Sequence, residues 1–131
     1  MRRALLVALA GLAAAPVLAA PKAKPAADPA MKARIVALVL RRSDFGGISL
    51  IPVRFENSRL AGPFDDGGKT TYCVTAQMHG RSFGKPERAR ALVRLERAVD
   101  GERLRAESYD ADVCSGERTE AFTELDGPAH R

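Results

Sequence analysis

The sequence lacks tryptophan, and aromatic residues make up only 5% of its 131 residues. With so few aromatic side chains, the chain offers neither a stacking platform for nucleic-acid bases nor an aromatic cleft for sugars. Nucleic acid is therefore not an expected partner. Two cysteines and two histidines cannot by themselves form a four-cysteine structural zinc site or a three-histidine catalytic one. No glycine-rich phosphate-binding motif is present either, and we expect no metal and no cofactor.

The first twenty residues have the layout of a secretory signal peptide. Arg2 and Arg3 precede the uncharged apolar stretch 4–18, and Val17 and Ala19 place small side chains at the −3 and −1 positions of a cleavage site. Because a permanent transmembrane helix needs about 20 apolar residues, a cleaved peptide over 1–19 is favoured over a membrane anchor. We therefore predict a periplasmic or secreted protein, and the frequent alanine and arginine suggest a bacterium with a GC-rich genome.

Cys73 and Cys114 are the only cysteines. In an exported protein, an even pair of cysteines predicts a structural disulfide. A redox-active pair is the alternative, but it is disfavoured because the chain has no C-x-x-C motif that would lower the pKa of a thiol.

Proline, alanine and lysine dominate residues 20–30, which predicts a flexible linker. Near its end, Asp28 followed by Pro29 is typical of a helix start. Helical spacing then gives an apolar stripe that consists of Met31, Ile35, Leu38 and Val39. The continuous apolar run 35–40 would also suit a buried strand, but the cap favours a helix.

Strand patterns follow the helix. Residues 48–55 partly alternate, and Pro52 would place that strand at an edge or at a bulge. Residues 56–69 carry many Asn, Asp, Gly and Pro residues and predict a loop. Residues 70–79 alternate throughout and predict the central strand, with one face made of Tyr72, Val74, Ala76 and Met78.

Residues 86–109 allow either a helix or a hairpin. Their alanine, leucine, arginine and glutamate content favours a helix. A hairpin that turns at residues 100–101 instead pairs Glu96 with Arg105 and Arg94 with Glu107, whereas a helix brings arginines together at i, i+3 and i+4. We therefore favour the hairpin.

The predicted fold is α+β, with one N-terminal helix packed on a small antiparallel sheet of about four strands and one disulfide. Residues 119–125 are a further short candidate strand, and Gly127 with Pro128 begins a disordered tail over 127–131. A chain of this length suits one core, so we expect a single domain over 31–126.

Charge is distributed unevenly along the chain. Residues 81–105 are rich in arginine, whereas residues 106–131 are acidic. The acidic segment would either cover the basic hairpin or leave it open to an anionic partner, such as an envelope polymer, a lipid headgroup or an acidic protein. The candidate binding residues are Arg81, Lys85, Arg88, Arg90, Arg94 and Arg105.

No complete catalytic constellation is present. His79 near Ser82 is a weak candidate for the nucleophilic pair of a small secreted hydrolase, because no G-x-S-x-G motif accompanies it. Asp110, Asp112 and Glu117 would bind calcium at best weakly, since the spacing of a calcium loop is missing. We therefore predict an exported, non-enzymatic binding or accessory module, with the hydrolase as the alternative.

Overall fold

The computed structural model describes residues 27–48, 50–82 and 84–129. The helices are α1 (Pro29–Val39) and α2 (Ala111–Cys114), and a 3₁₀ turn lies at Ser43–Phe45. The strands are β1 (Arg54–Asp66), β2 (Lys69–His79), β3 (Glu87–Ala98), β4 (Gly101–Glu107), β5 (Thr119–Ala121) and β6 (Gly127–Pro128).

These strands form one antiparallel sheet in the order β4-β3-β2-β1-β5, and β6 also pairs with β1. The α+β class with one main N-terminal helix is confirmed, but within the described residues the sheet has six strands rather than about four. The predicted signal peptide 1–19 and linker residues 20–26 lie outside the described residues. Among the residues that are described, no helix is both long enough and apolar enough to span a membrane.

Helix α1 begins where the sequence predicts. The Oδ1 atom of Asp28 accepts a hydrogen bond from the backbone N–H of Met31 at 2.7 Å, and Pro29 occupies the first turn. Such a cap stabilises a helix by about 1 kcal/mol. Ile35 and Val39 are fully buried against the sheet. Ala27 is buried too, so the last part of the predicted linker packs against the core.

The main core lies between α1 and one face of the sheet. The alternating face predicted for β2 is confirmed, because its four apolar residues from Tyr72 to Met78 are all buried. Ala89, Ala91 and Val93 of β3 continue this face beside them. Phe45 and Phe55 close one end of the core, with their ring centroids 5.7 Å apart.

A smaller apolar cluster lies on the opposite face, around the predicted disulfide. The bond between Cys73 and Cys114 is present, and it ties α2 to the middle of β2. The cluster also contains Ala61, Leu92 and the half-buried residues Phe64, Tyr109 and Val113. Asp110 caps α2, since its Oδ1 accepts from the backbone N–H of Asp112 at 2.9 Å.

Strand β1 corrects two expectations. The predicted loop over 56–69 is wrong, because β1 runs through most of it and pairs with β2. Asn57, with a φ of 51°, and Gly62, with a φ of 104°, lie at two irregularities of the strand instead, and only Gly67 and Gly68 form a turn, between β1 and β2. The predicted strand over 48–55 is wrong for most of its length, since β1 begins only at Arg54.

The predicted hairpin is confirmed as β3 and β4, but its register is shifted by two residues. Arg94 faces Arg105, and Glu96 faces Arg103. The turn consists of residues 99–100, and Gly101 supplies the positive φ of 124° after the turn rather than within it. A shift of two residues keeps every side chain on its predicted face, because the period of a strand is two.

The C-terminal segment returns along the outer edge of β1. Strand β5 lies within the predicted segment 119–125, and Phe122 and Leu125 are buried behind it. Gly127 and Pro128 pair with β1 instead of forming a disordered tail, and the backbone N–H of Ala129 donates to Val53 at 3.0 Å. The remaining residues, 130–131, lie outside the described part.

Candidate anion-binding face

The sheet face opposite α1 carries a row of arginines. Because side chains alternate along a strand, Arg88, Arg90 and Arg94 of β3 share this face with the disulfide cluster. Arg88 lies opposite Gln77, and Arg90 lies opposite Thr75. On β1, the same face carries Arg54, opposite His79, and Arg59, opposite Thr75. We term the set Arg54, Arg59, Arg88 and Arg90 the arginine face.

Arg88 and Arg90 are the most available members of the arginine face. Both are exposed, and within the described residues neither forms an ion pair. Their Cα atoms are about 6.6–6.8 Å apart, the repeat of an extended strand. The guanidinium carbon of Arg90 lies 4.8 Å from the ring centroid of Tyr109, a cation–π contact that orients the group.

The two arginines of β1 are held by local partners. Arg54 forms an ion pair with Glu56 at 3.2 Å, and the Nε2 atom of His79 lies 3.1 Å from the same carboxylate. Arg59 donates to the hydroxyl and the backbone carbonyl of Thr119 at 3.0–3.2 Å. Glu56 thus offsets part of the positive charge on this face, whereas the charge of Arg59 is not offset by Thr119, which is neutral.

Arg94 has a different role from Arg88 and Arg90. It is half-buried and bridges Asp66 at 2.9 Å and Glu107 at 3.3 Å. Arg105 lies directly opposite it on β4 and is exposed. The structure therefore places four of the predicted binding residues on one face, namely Arg88, Arg90, Arg94 and Arg105. Of these, Arg94 forms ion pairs that link β3 to β1 and β4.

The acidic C-terminal segment divides between the two faces of the sheet. Glu107 pairs with Arg94, whereas Glu120 and Glu124 lie 3.4 Å and 3.7 Å from the ammonium group of Lys32 on α1. Asp126 accepts from the backbone N–H of Ser58 at 3.0 Å. These four carboxylates are therefore directed to partners other than Arg88 and Arg90.

Arg81 and Lys85 lie in the loop between β2 and β3. Arg81 donates to the backbone carbonyl of Ser43 at 2.7 Å and to the carboxylate of Glu87 at 3.0 Å. The hydrogen bond to Glu87 raises the pKa of Arg81 above its ordinary value. Hydrogen bonds from Arg81 and then Ser82 lower the pKa of Glu87 below its ordinary value. Lys85 is exposed.

His79 and Ser82 line the same open cleft but engage different carboxylates. The hydroxyl of Ser82 donates to Glu87, and the Nε2 atom of His79 faces Glu56. In a serine–histidine pair the hydroxyl donates to the imidazole, whereas the hydroxyl of Ser82 donates to Glu87. This geometry does not join the two residues into a nucleophilic pair.

Asp110, one of the weak calcium candidates, acts as the cap of α2. Across the described ranges, no group of three or more histidine, cysteine, aspartate or glutamate side chains is arranged to hold a metal ion.

Comparison with protein-family models, with curated proteins and with solved structures gives no match. The arginine face therefore rests on its own geometry. Arg88 and Arg90 are among the candidates predicted from the sequence because residues 81–105 are rich in arginine, but Arg54, Arg59 and Tyr109 are not. The register of β1 depends on two irregularities, and Tyr109 reaches Arg90 beside the helix that the disulfide holds on the sheet.

Proposed function

We propose that the protein is an exported, non-enzymatic binding module that contacts an anionic partner through the arginine face. The observation that carries this proposal is the pair Arg88 and Arg90, which are exposed side by side and form no ion pair within the described chain. Arg94, four residues beyond Arg90 on the same strand, is by contrast paired with two carboxylates.

Arginine suits such a contact because its planar guanidinium donates two parallel hydrogen bonds to a carboxylate, phosphate or sulfate group. The ring of Tyr109 restrains Arg90 before binding, which reduces the conformational entropy lost in the complex. The arginine face is part of a sheet surface rather than an enclosed cavity. An extended anionic polymer or surface is therefore a better fit than a buried small molecule.

Export forms part of the same proposal. The N-terminal pattern is typical of a secretory signal, and disulfides persist in oxidising compartments. The binding experiment accordingly uses the exported protein, purified from a bacterial host. N-terminal sequencing of that preparation should begin at Ala20.

The test is titration with dextran sulfate, a soluble polyanion, at low and high salt. We expect R88Q/R90Q to bind at least about tenfold more weakly at low salt, because one lost charge-assisted hydrogen bond contributes roughly 1.5–3 kcal/mol. Salt should weaken the binding of the unmodified protein through screening.

The matched control is R34Q/R41Q, which removes the same charge from exposed positions on and just after α1. We expect this variant to retain most of the binding. An equal loss in both variants would show that only net charge matters, and it would refute the arginine face as the site.

A further inference from the structure

An exposed apolar loop lies between the 3₁₀ turn and β1. The side chains of Ile48, Leu50 and Ile51 are 81%, 94% and 52% exposed. We term these three residues the apolar tip. Single exposed aliphatic residues are common, but three within four positions concentrate apolar surface in one loop, and exposed apolar surface of this kind marks interaction sites.

Two glycines, Gly46 and Gly47, form the start of this loop and set the path of its backbone. Gly46 has a φ of 73°, a left-handed conformation that glycine adopts without strain. A Cβ atom on Gly47 would lie 2.4 Å from the backbone carbonyl of Arg41, so any side chain there would clash. This close approach places Gly47 against the backbone just after α1, where the loop begins.

The basic β2–β3 loop packs beside the apolar tip. Arg81 reaches across to the backbone carbonyl of Ser43 at 2.7 Å, and a Cβ on Gly80 would lie 2.7 Å from the carbonyl oxygen of Pro52. Ile51 lines the same cleft as Arg81 and Lys85. We term Lys85 and Arg88, which follow one another from this loop into β3, the basic rim; Arg81 is not included because it is paired with Glu87.

We infer that this end of the sheet docks on a bilayer that contains anionic lipids, with the apolar tip inserted at the interface and the basic rim on the headgroups. Aliphatic side chains carry no hydrogen-bonding group that water or a polar partner must satisfy, and they partition into the headgroup boundary. Each cation near an anionic membrane surface adds electrostatic attraction to it. The combination matches both chemical layers of a lipid interface.

A second copy of the chain is a less suitable occupant. Two copies that met through the apolar tip would bring two basic rims together, and like charges repel. The inference rests on the proposed function, which requires a negatively charged partner. It adds that the negative charge is carried by lipid headgroups.

The experiment is co-sedimentation with vesicles of equal parts phosphatidylglycerol and phosphatidylcholine, compared with vesicles of phosphatidylcholine alone. We expect the exported protein to bind the anionic vesicles, and I48S/L50S to bind them at least about tenfold more weakly. The matched control is V99S at the opposite end of the sheet, where Val99 is also fully exposed. This variant should bind as the unmodified protein does.

Binding of dextran sulfate separates the two proposals. We expect I48S/L50S to retain it, because the arginine face is intact in that variant. If I48S/L50S leaves vesicle binding unchanged and R88Q/R90Q abolishes it, the lipid inference is wrong and the proposed function stands. Loss of dextran sulfate binding in R34Q/R41Q and R88Q/R90Q alike would refute the proposed function.

Self-association provides the remaining outcome. If sedimentation velocity shows dimers that I48S/L50S abolishes, and no vesicle binds, the apolar tip is an interface between copies and the lipid inference is wrong. Circular dichroism of each variant checks that the fold is retained, as expected for substitutions of exposed side chains.

Discussion

The disulfide between Cys73 and Cys114 should contribute a large share of the stability. The two cysteines are 41 residues apart in sequence, and both are buried in the smaller apolar cluster. Closing a loop of this length destabilises the unfolded chain by about 4 kcal/mol in the chain-entropy model. Since domains of this kind unfold with about 5–15 kcal/mol, the cross-link contributes a substantial part of that free energy.

We therefore predict that dithiothreitol lowers the urea midpoint of unfolding by roughly 2 M, given a typical slope of about 2 kcal/mol per M. Far-UV circular dichroism is the suitable probe because the sequence lacks tryptophan. The variant C73A/C114A should unfold at low urea and should not respond to the reductant.

A reduced protein whose midpoint shifts by less than about 0.5 M would refute the reasoning. Such a result would mean that packing of α2 on the sheet, rather than the cross-link, keeps the smaller cluster together. The thiol content of the native protein should be zero, since both cysteines are joined in the structure.

Two further predictions concern ion pairs. R94Q should lower the free energy of unfolding by about 1 kcal/mol, because Asp66 and Glu107 lose the cation that they share. R105Q, which changes the residue directly opposite, should change the free energy of unfolding by less than about 0.5 kcal/mol. Equal effects of the two variants in urea denaturation would contradict this prediction. The lowered pKa of Glu87 contributes stability that is fully present above the ordinary value of 4.5 and is lost as the pH falls through the lowered value. E87Q should therefore lose less melting temperature between about pH 5 and about pH 3 than the unmodified protein, and an identical loss would show that the carboxylate is not involved.

Much of the fold could be predicted from local patterns. The cap at Asp28 and the alternation of β2 are strong signals, because each reflects interactions between residues close in sequence. Charge placement also separated hairpin from helix correctly between residues 86 and 109. Charge placement could not predict the register. An Asp-Gly pair is typical of a two-residue turn, but here the turn consists of residues 99–100, and Gly101, with its positive φ, follows it.

Strand β1 shows why other parts of the fold and of the site could not be predicted from local patterns. Turn-forming residues such as Asn57 and Gly62 are equally suited to a loop and to a strand irregularity, and only pairing with β2 decides between the two. The candidate site depends on that pairing, since Arg54 and Arg59 reach the arginine face through it. The contact between Arg90 and Tyr109 depends in addition on the position of α2, which the sequence pattern does not specify.

The most direct test of the arginine face is an NMR titration of the isotope-labelled protein with dextran sulfate at low salt. We predict that the largest changes in backbone amide shift occur on β2 and β3, at Thr75, Gln77, Arg88 and Arg90, while the amides of α1 stay unchanged. Changes centred on α1, or spread evenly over every arginine of the chain, would contradict a defined binding surface on this face of the sheet.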